Sequence, residues 1–267
     1  MTANMKNYGL IGYPLSHSFS KKYFTEKFIA EKIKDTAYDL YPLEHIKELP
    51  ALLHQHPNLC GLNVTIPHKV SVMKYLDWIE HDAKTAGAVN CIKVIAESPV
   101  CAAFSGELGI KGHDFRLEGY NTDIHGFDGS LSPLLDHHHD KALILGDGGA
   151  AKAVKCVLEN KGIDYISVTR KPAEGNILFS DLTAHHIAAY KLIINTTPLG
   201  TYPNVDECPP IPYEAIGHHH LLFDLVYNPP LTLFMKKGQE RGATTKNGYE
   251  MLVLQAEKAW EIWNTND

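Results

Sequence analysis

The sequence predicts an α/β chain of two domains, and three observations carry that prediction. In the first half, short apolar runs alternate with stretches of helical spacing. Near Gly119 the style changes. From residue 141 an apolar run leads straight into glycines and then into a small-residue helix, the opening of a parallel βαβ unit.

In chain order, residues 8–12 read as a buried strand. Phe24, Phe28, Ile29 and Ile33 then recur at helical spacing. Residues 38–41 alternate like a strand, a helix follows over about 43–53, and 59–64 is the next strand. Pro67 suits the first turn of a helix, where its missing N–H costs nothing. A helix is expected over 78–85 and a strand over 89–95. Strands separated by helices in this way imply parallel pairing. In the second half, strands are expected at 141–145, 165–169, 192–195 and 221–225, with a last helix over about 248–260. The domain boundary falls between about residues 122 and 126.

Lys and Arg total 25 against 31 Asp and Glu, a net charge of −6 over 267 residues. No basic excess is present to neutralise a phosphate backbone, which argues against nucleic acid as a partner. Five cysteines with no C-x-x-C pair suit a reducing compartment rather than a disulfide framework. The N-terminal residues show no signal-like apolar run, and nothing approaches the ~18 apolar residues of a membrane span. The expectation is a cytoplasmic protein that does not engage a membrane.

Gly146-Asp147-Gly148-Gly149-Ala150-Ala151 joins the 141–145 strand to its helix. A tight glycine turn lets backbone N–H groups and a helix N-terminus approach a pyrophosphate. The pattern is G-x-G-G, with Ala151 where the full fingerprint has a third glycine, and the competing reading is a plain βα turn. Thr169-Arg170-Lys171 closes the following strand. Two cations and no carboxylate suit the 2′-phosphate of NADP rather than the free 2′-hydroxyl of NAD; the alternative is a solvated basic turn.

Ser16 and Ser18 share one face of an extended segment and can converge on one acceptor, whereas His17 points away from both. Ser18 is also a natural helix cap. Asn63 and Thr65 place polar groups at a strand end. Lys69 follows in what reads as a first helical turn, where a cation opposes the helix dipole. A residue set against local preference hints at function, while a surface lysine is the plain alternative. Asp123 offers either a reactive carboxylate or a cap for a helix beginning near Gly126. The histidine triplets at 137–139 and 218–220 lack helical i, i+4 spacing with carboxylate partners, so no metal is assigned.

Eight motifs in order, GYPLSHS (12–18), NVTIPHK (63–69), GAVN (87–90), GYNTD (119–123), GDGGAA (146–151), NTTPLG (195–200), YNP (227–229) and NGYEMLVLQA (247–256), resemble the shikimate/quinate dehydrogenase family. The resemblance implies a split α/β substrate domain (1–123 and 243–267) and a Rossmann-like NADP domain (124–242), with the active site in the cleft between them. It implies that Ser16, Ser18, Thr65, Asn90, Asp123 and Gln255 hold the hydroxyls and carboxylate of shikimate, with Tyr227 nearby. Lys69 and Asp123 would be the catalytic pair. Gly146, Gly148, Gly149 and Ala150 would cradle the cofactor phosphates and Thr169, Arg170 and Lys171 the 2′-phosphate; Leu225 would also touch the cofactor, and the Gly248 backbone would face the nicotinamide.

The expected reaction is reversible, NADP-dependent oxidation of shikimate to 3-dehydroshikimate, a step of aromatic amino-acid biosynthesis, by a monomer or homodimer needing no metal. A quinate-preferring or dual-specificity enzyme is the alternative in the same class, and a non-catalytic metabolite sensor the alternative in another. The chain departs from the family pattern at Asp147, where a small neutral residue is usual, and at Thr169 and Lys171 around Arg170. It also departs in residues 97–118, which are longer than the usual short hairpin and are expected to form an extended hairpin or loop.

Overall fold

The computed structural model describes residues 5–15, 18–96 and 115–265. The chain divides into two compact units, Met1–Thr122 with Ala256–Asp267, and Asp123–Gln255.

The first unit contains β1 (Lys6–Gly12), α1 (Phe19–Ala30), β2 (Thr36–Pro42), α2 (Leu49–Gln55), β3 (Leu59–Val64), β4 (Trp78–Ile79), α3 (His81–Ala86), β5 (Cys91–Ala96) and β6 (Phe115–Tyr120). Among the described residues its sheet has the order β2-β1-β3-β5-β6-β4. β1 pairs parallel with β2 and β3, but β5 runs antiparallel to both β3 and β6. The sheet is therefore mixed rather than all parallel. β5 and β6 follow one another in sequence and pair directly, which needs no crossover helix. The expected long hairpin at 97–118 lies outside the described residues except for 115–118, which belong to β6.

Two further expectations change. Trp78 is in a strand, not a helix: Trp78 and Ile79 pair with Glu118 and Gly119, and the Leu117 N–H donates to the Asp77 carboxylate at 2.8 Å. Edge pairing here outweighs the local helical pattern. Pro67 and Lys69 lie in turns ahead of a short 3₁₀ segment, Ser71–Tyr75, and not in a helix. The Lys69 carbonyl accepts the Val89 N–H at 2.8 Å, a long-range bond in place of a helical one.

One face of this sheet carries an aromatic cluster of Tyr8, Phe24, Phe28, Tyr38, Trp260 and Trp263. Gly61 is required by this packing, because a Cβ there would overlap the Trp263 ring. The other face packs Leu49, Leu52, Leu62, Val72 and Ile92.

The second unit takes in nearly all of α4 (Thr122–Leu131), then β7 (Lys141–Leu145), α5 (Gly149–Asn160), β8 (Asp164–Thr169), β9 (Asn176–Leu178), α6 (Ala184–Ala189), β10 (Leu192–Asn195), β11 (Leu221–Asp224), α7 (Leu233–Gln239), β12 (Thr244–Lys246) and the first turns of α8 (Tyr249–Asn264). Its sheet runs β12-β11-β10-β7-β8-β9, all parallel. β7, β10 and β11 read as continuous apolar runs because helices cover both faces of such a sheet. β12 keeps residues 244–246 with this sheet, so the chain returns to the first unit at Ala256, inside α8, rather than at 243. β9 and β12 are edge strands of three residues each, too short to show a period.

Candidate active site

In the first unit, four motifs remote in sequence meet at one end of the sheet. The Tyr13 N–H donates to the Ile66 carbonyl at 3.1 Å and the Thr65 N–H to the Ile11 carbonyl at 2.9 Å. The Val64 N–H donates to the Asn90 carbonyl at 2.8 Å, and the Asn90 N–H to the Tyr120 carbonyl at 3.0 Å. This network brings Thr65, the backbone of Lys69, Asn90 and the residue preceding Asp123 into one neighbourhood.

Side chains tighten it. The buried Asn90 Oδ1 accepts the Thr122 N–H at 2.7 Å and the Thr122 hydroxyl at 3.2 Å. The Tyr38 hydroxyl donates to Asn63 Oδ1 at 2.7 Å, so Asn63 is committed to joining strands. His68 is buried with Nε2 2.6 Å from the Leu43 carbonyl, which pins the turn that carries Lys69. Ser18 caps α1, its Oγ accepting the Lys21 N–H at 3.3 Å, which leaves the hydroxyl hydrogen to donate elsewhere. Ser16 lies outside the described residues.

Asn121 escaped the sequence reading. Its Nδ2 donates to the Ala88 carbonyl at 2.9 Å, joining GAVN to GYNTD, and its buried Oδ1 has no hydrogen-bond partner among the described residues. The signal was present as the central residue of GYNTD.

α4 begins at Thr122, so Asp123, the first residue of the second unit, stands in its first turn instead of capping a helix at Gly126. A carboxylate there is favoured by the helix dipole.

The glycine loop follows β7, where the strand order changes direction, the place at which open parallel sheets bind ligands. Gly146 has φ +106°, and a Cβ on it would lie 2.8 Å from Thr196 Oγ1, so its own chain demands glycine. Gly148 and Gly149 are different. Both are exposed, neither has positive φ, and a Cβ on either would meet nothing within 4 Å. Nothing in the chain itself requires glycine there, and the space beside the backbone is open to a ligand. Gly148 is the N-cap of the twelve-residue α5 and makes no side-chain cap bond; Ala150 follows in the first turn. These residues fit a dinucleotide pyrophosphate.

Asp147 is drawn away from that role. Its carboxylate accepts from Lys155 Nζ at 2.6 Å and from Asn176 Nδ2 at 3.3 Å, and Lys155 holds it below the usual carboxylate range. Beyond β8, the Thr169 hydroxyl donates to the Lys171 carbonyl at 2.7 Å and shapes the turn on which Arg170 and Lys171 are exposed.

The loops after β10 and β11 are joined by Asp224, which the sequence reading missed. This fully buried carboxylate accepts from Asn195 Nδ2 at 2.9 Å, the Thr232 hydroxyl at 2.5 Å and the Val226 N–H at 3.1 Å. Burial pushes its pKa up to about 6, against the pull of those three donors. Asn195 Oδ1 in turn accepts from the Thr197 N–H and hydroxyl at 3.0 and 2.6 Å. Leu225 and Gly248 are in close backbone contact: a Cβ on Gly248 would overlap the Leu225 carbonyl oxygen. Tyr227 is part-exposed, and burial of its ring raises its pKa. Gln255 Nε2 donates to the Leu252 carbonyl within α8 at 2.9 Å.

The family described as "Shikimate dehydrogenase substrate binding domain" matches residues 10–92. The shikimate dehydrogenase (NADP(+)) of Clostridium beijerinckii is 40% identical over 270 residues, covering 97% of this chain and 92% of its own. A shikimate dehydrogenase solved in complex with NADP+ superposes with a TM-score of 0.81 at 30% identity, over 99% of this chain and 91% of its own. The Thermus thermophilus enzyme, solved with NADP(H) and shikimate, gives a TM-score of 0.77 at 25% identity over 97% of this chain and 94% of its own. With such identity along nearly its whole length, the chain belongs to the shikimate dehydrogenase family.

Proposed function

We infer that the chain catalyses the reversible, NADP-dependent oxidation of shikimate to 3-dehydroshikimate, running physiologically as reduction by NADPH in aromatic amino-acid biosynthesis. The observation that carries this reading is the knitting of four family motifs around Asn90, in a chain whose glycine loop holds Gly148 and Gly149 under no constraint of its own.

The unit built on the mixed sheet is the substrate domain and the unit built on the parallel sheet is the NADP domain. Oxidising a secondary alcohol removes a hydride from carbon and a proton from oxygen. NADP, when bound, supplies the hydride acceptor. The protein handles the proton: Lys69 and Asp123 form the acid–base pair that holds the reacting hydroxyl and moves its hydrogen. Ser16, Ser18, Thr65, Asn90, Tyr227 and Gln255 offer hydroxyl and amide groups, the neutral directional donors and acceptors that a polyhydroxy acid needs. Asn90 presents its amide Nδ2, because Oδ1 is engaged with Thr122. Gly146, Gly148, Gly149 and Ala150 receive the pyrophosphate, Thr169, Arg170 and Lys171 the 2′-phosphate, and Leu225 with Gly248 the nicotinamide end.

Together, Lys69 and Asp123 favour an enzyme over a metabolite sensor. Among the described residues the cysteines are free, which fits a reducing, cytoplasmic setting. No helix among them is long and apolar enough to cross a membrane. The test is NADPH formation followed spectrophotometrically with shikimate and quinate in parallel. Turnover of shikimate at a kcat/KM well above that for quinate is expected; a quinate preference, or no turnover of either, overturns the assignment.

A further inference from the structure

The two histidine triplets occupy equivalent turns. The Asp136 N–H donates to His139 Nδ1 at 3.0 Å, and the Gly217 N–H donates to His220 Nδ1 at 3.0 Å. The third histidine of each triplet is buried and closes its own turn. His220 also places Nε2 2.9 Å from the Ile187 carbonyl, so it is committed to the fold.

These turns lead into β7 and β11, which flank β10 in the parallel sheet. They therefore lie side by side at the amino-terminal edge of the sheet. The glycine loop is at the other end of β7, about 16 Å away for a five-residue strand. The remaining four rings form a row across the two turns. Centroids are 3.8 Å apart for His137 and His138, 4.2 Å for His138 and His219, and 3.9 Å for His219 and His218. At one end, ligand atoms of Asp136, His137 and His138 all lie within 4.8 Å of one another. Tetrahedral zinc with Zn–N bonds of 2.0–2.1 Å needs ligand atoms about 3.3 Å apart. Asp136 Oδ1 accepts the His138 N–H at 2.8 Å, which leaves Oδ2 for a metal, and rotation of the exposed His137 and His219 rings would supply the contraction.

We propose that Asp136, His137, His138 and His219 form a surface site for a divalent transition-metal ion of the imidazole-preferring class, such as Zn²⁺ or Ni²⁺. The sequence alone assigned the triplets no metal, because contiguous histidines on one strand of chain spread over several faces. Tertiary structure changes this by supplying His219 from a second turn. The proposal is independent of the activity assigned above.

The test is equilibrium dialysis of the full chain against Zn²⁺ in chelator-free buffer, with the bound metal measured directly. One ion per chain is expected. The double variant His138→Asn/His219→Asn should bind at least about tenfold more weakly, while His185→Asn, an exposed histidine elsewhere, should bind as the parent does. Unchanged affinity in the double variant overturns the proposal, as does binding below one ion per chain at saturating zinc. So does loss of binding in Cys60→Ser/Cys208→Ser instead. Should the double variant not fold, Ni²⁺ titration of the parent followed by imidazole proton NMR decides. Broadening confined to the resonances of His137, His138, His218 and His219 supports the site, and broadening centred elsewhere overturns it.

Discussion

Asn90 Oδ1 accepts two hydrogen bonds from Thr122, one from the backbone N–H at 2.7 Å and one from the hydroxyl at 3.2 Å. Thr122 is the first residue of α4, and Asp123 is the next. The side chain of Asn90 thus sets where the segment bearing the carboxylate begins. Asn90→Ala is expected to lower stability by about 1–2 kcal/mol through the lost buried acceptor, and to lower kcat as well as raise the KM for shikimate. Asn90→Asp keeps the acceptor but buries a carboxylate, so its recovery of stability should grow as pH falls and the side chain is protonated. Urea unfolding with steady-state kinetics separates the effects; an unchanged kcat in Asn90→Ala removes the positioning role.

Lys69 sits in a turn held by its own carbonyl and by buried His68, so its side chain can be shortened without disturbing a helix. Lys69→Ala should cut kcat by about 10²-fold or more, with a smaller change in KM. Asp123→Asn should also be damaging, and the double variant should lose little beyond the worse single change if the two act as one unit. Additive losses would separate their roles.

Arg170 is exposed one residue past β8, with no carboxylate beside it in sequence. A charge-assisted contact to a 2′-phosphate is worth about 1.5–3 kcal/mol. Arg170→Ala should therefore raise the KM for NADP at least about tenfold and leave that for NAD nearly unchanged. Preserved NADP preference in the variant would move recognition of the 2′-phosphate to another group.

Asp224 makes stability depend on pH in an unusual direction. Its pKa rises from 3.8 to about 6 on folding, because burial disfavours its charge. Below pH 4 it is protonated both folded and unfolded. Between pH 4 and 6 the unfolded chain gives up this proton while the folded chain retains it. The stabilising contribution is therefore lost as pH rises through the folded value, by up to roughly 3 kcal/mol. Carboxylates such as Asp147 and Glu257 are shifted down and contribute the opposite slope, so the comparison must be with a variant. The difference in unfolding free energy between the parent and Asp224→Asn should fall across pH 4 to 6.5. A flat difference would show that Asp224 does not titrate there.

Gly248 has no room for a methyl group, since its Cβ would overlap the Leu225 carbonyl oxygen and lie 2.7 Å from the carbonyl carbon. Both neighbours are backbone atoms and cannot rotate aside. Gly248→Ala should cost about 1–3 kcal/mol and raise the KM for NADP. Thermal unfolding and cofactor titration check both parts.

Much of this was open to reading in the sequence for physical reasons. The apolar runs at 141–145, 192–195 and 221–225 read as strands because a sheet covered on both faces leaves its central strands apolar throughout, as the parallel sheet here does. The glycine loop announced itself because strand, glycines and small-residue helix are contiguous. NVTIPHK and GYNTD were visible because each packs several unusual side chains into an unbroken run. The antiparallel course of β5, the strand at Trp78 and the edge strands β9 and β12 were not visible. Each exists through hydrogen bonds to residues far along the chain, and local propensity carries no record of such a partner. The same reason hid Asp224, whose Asn195 partner is 29 residues away. Asn121, too, escaped because its partner Ala88 lies 33 residues away. It also hid the meeting of His138 with His219, which follows only from both preceding turns feeding strands on either side of β10. The sequence by itself determined the order of elements and the chemical groups on offer, which are local properties. Only tertiary structure decided which of those groups share a neighbourhood, because pairing register and burial are set by the whole folded chain.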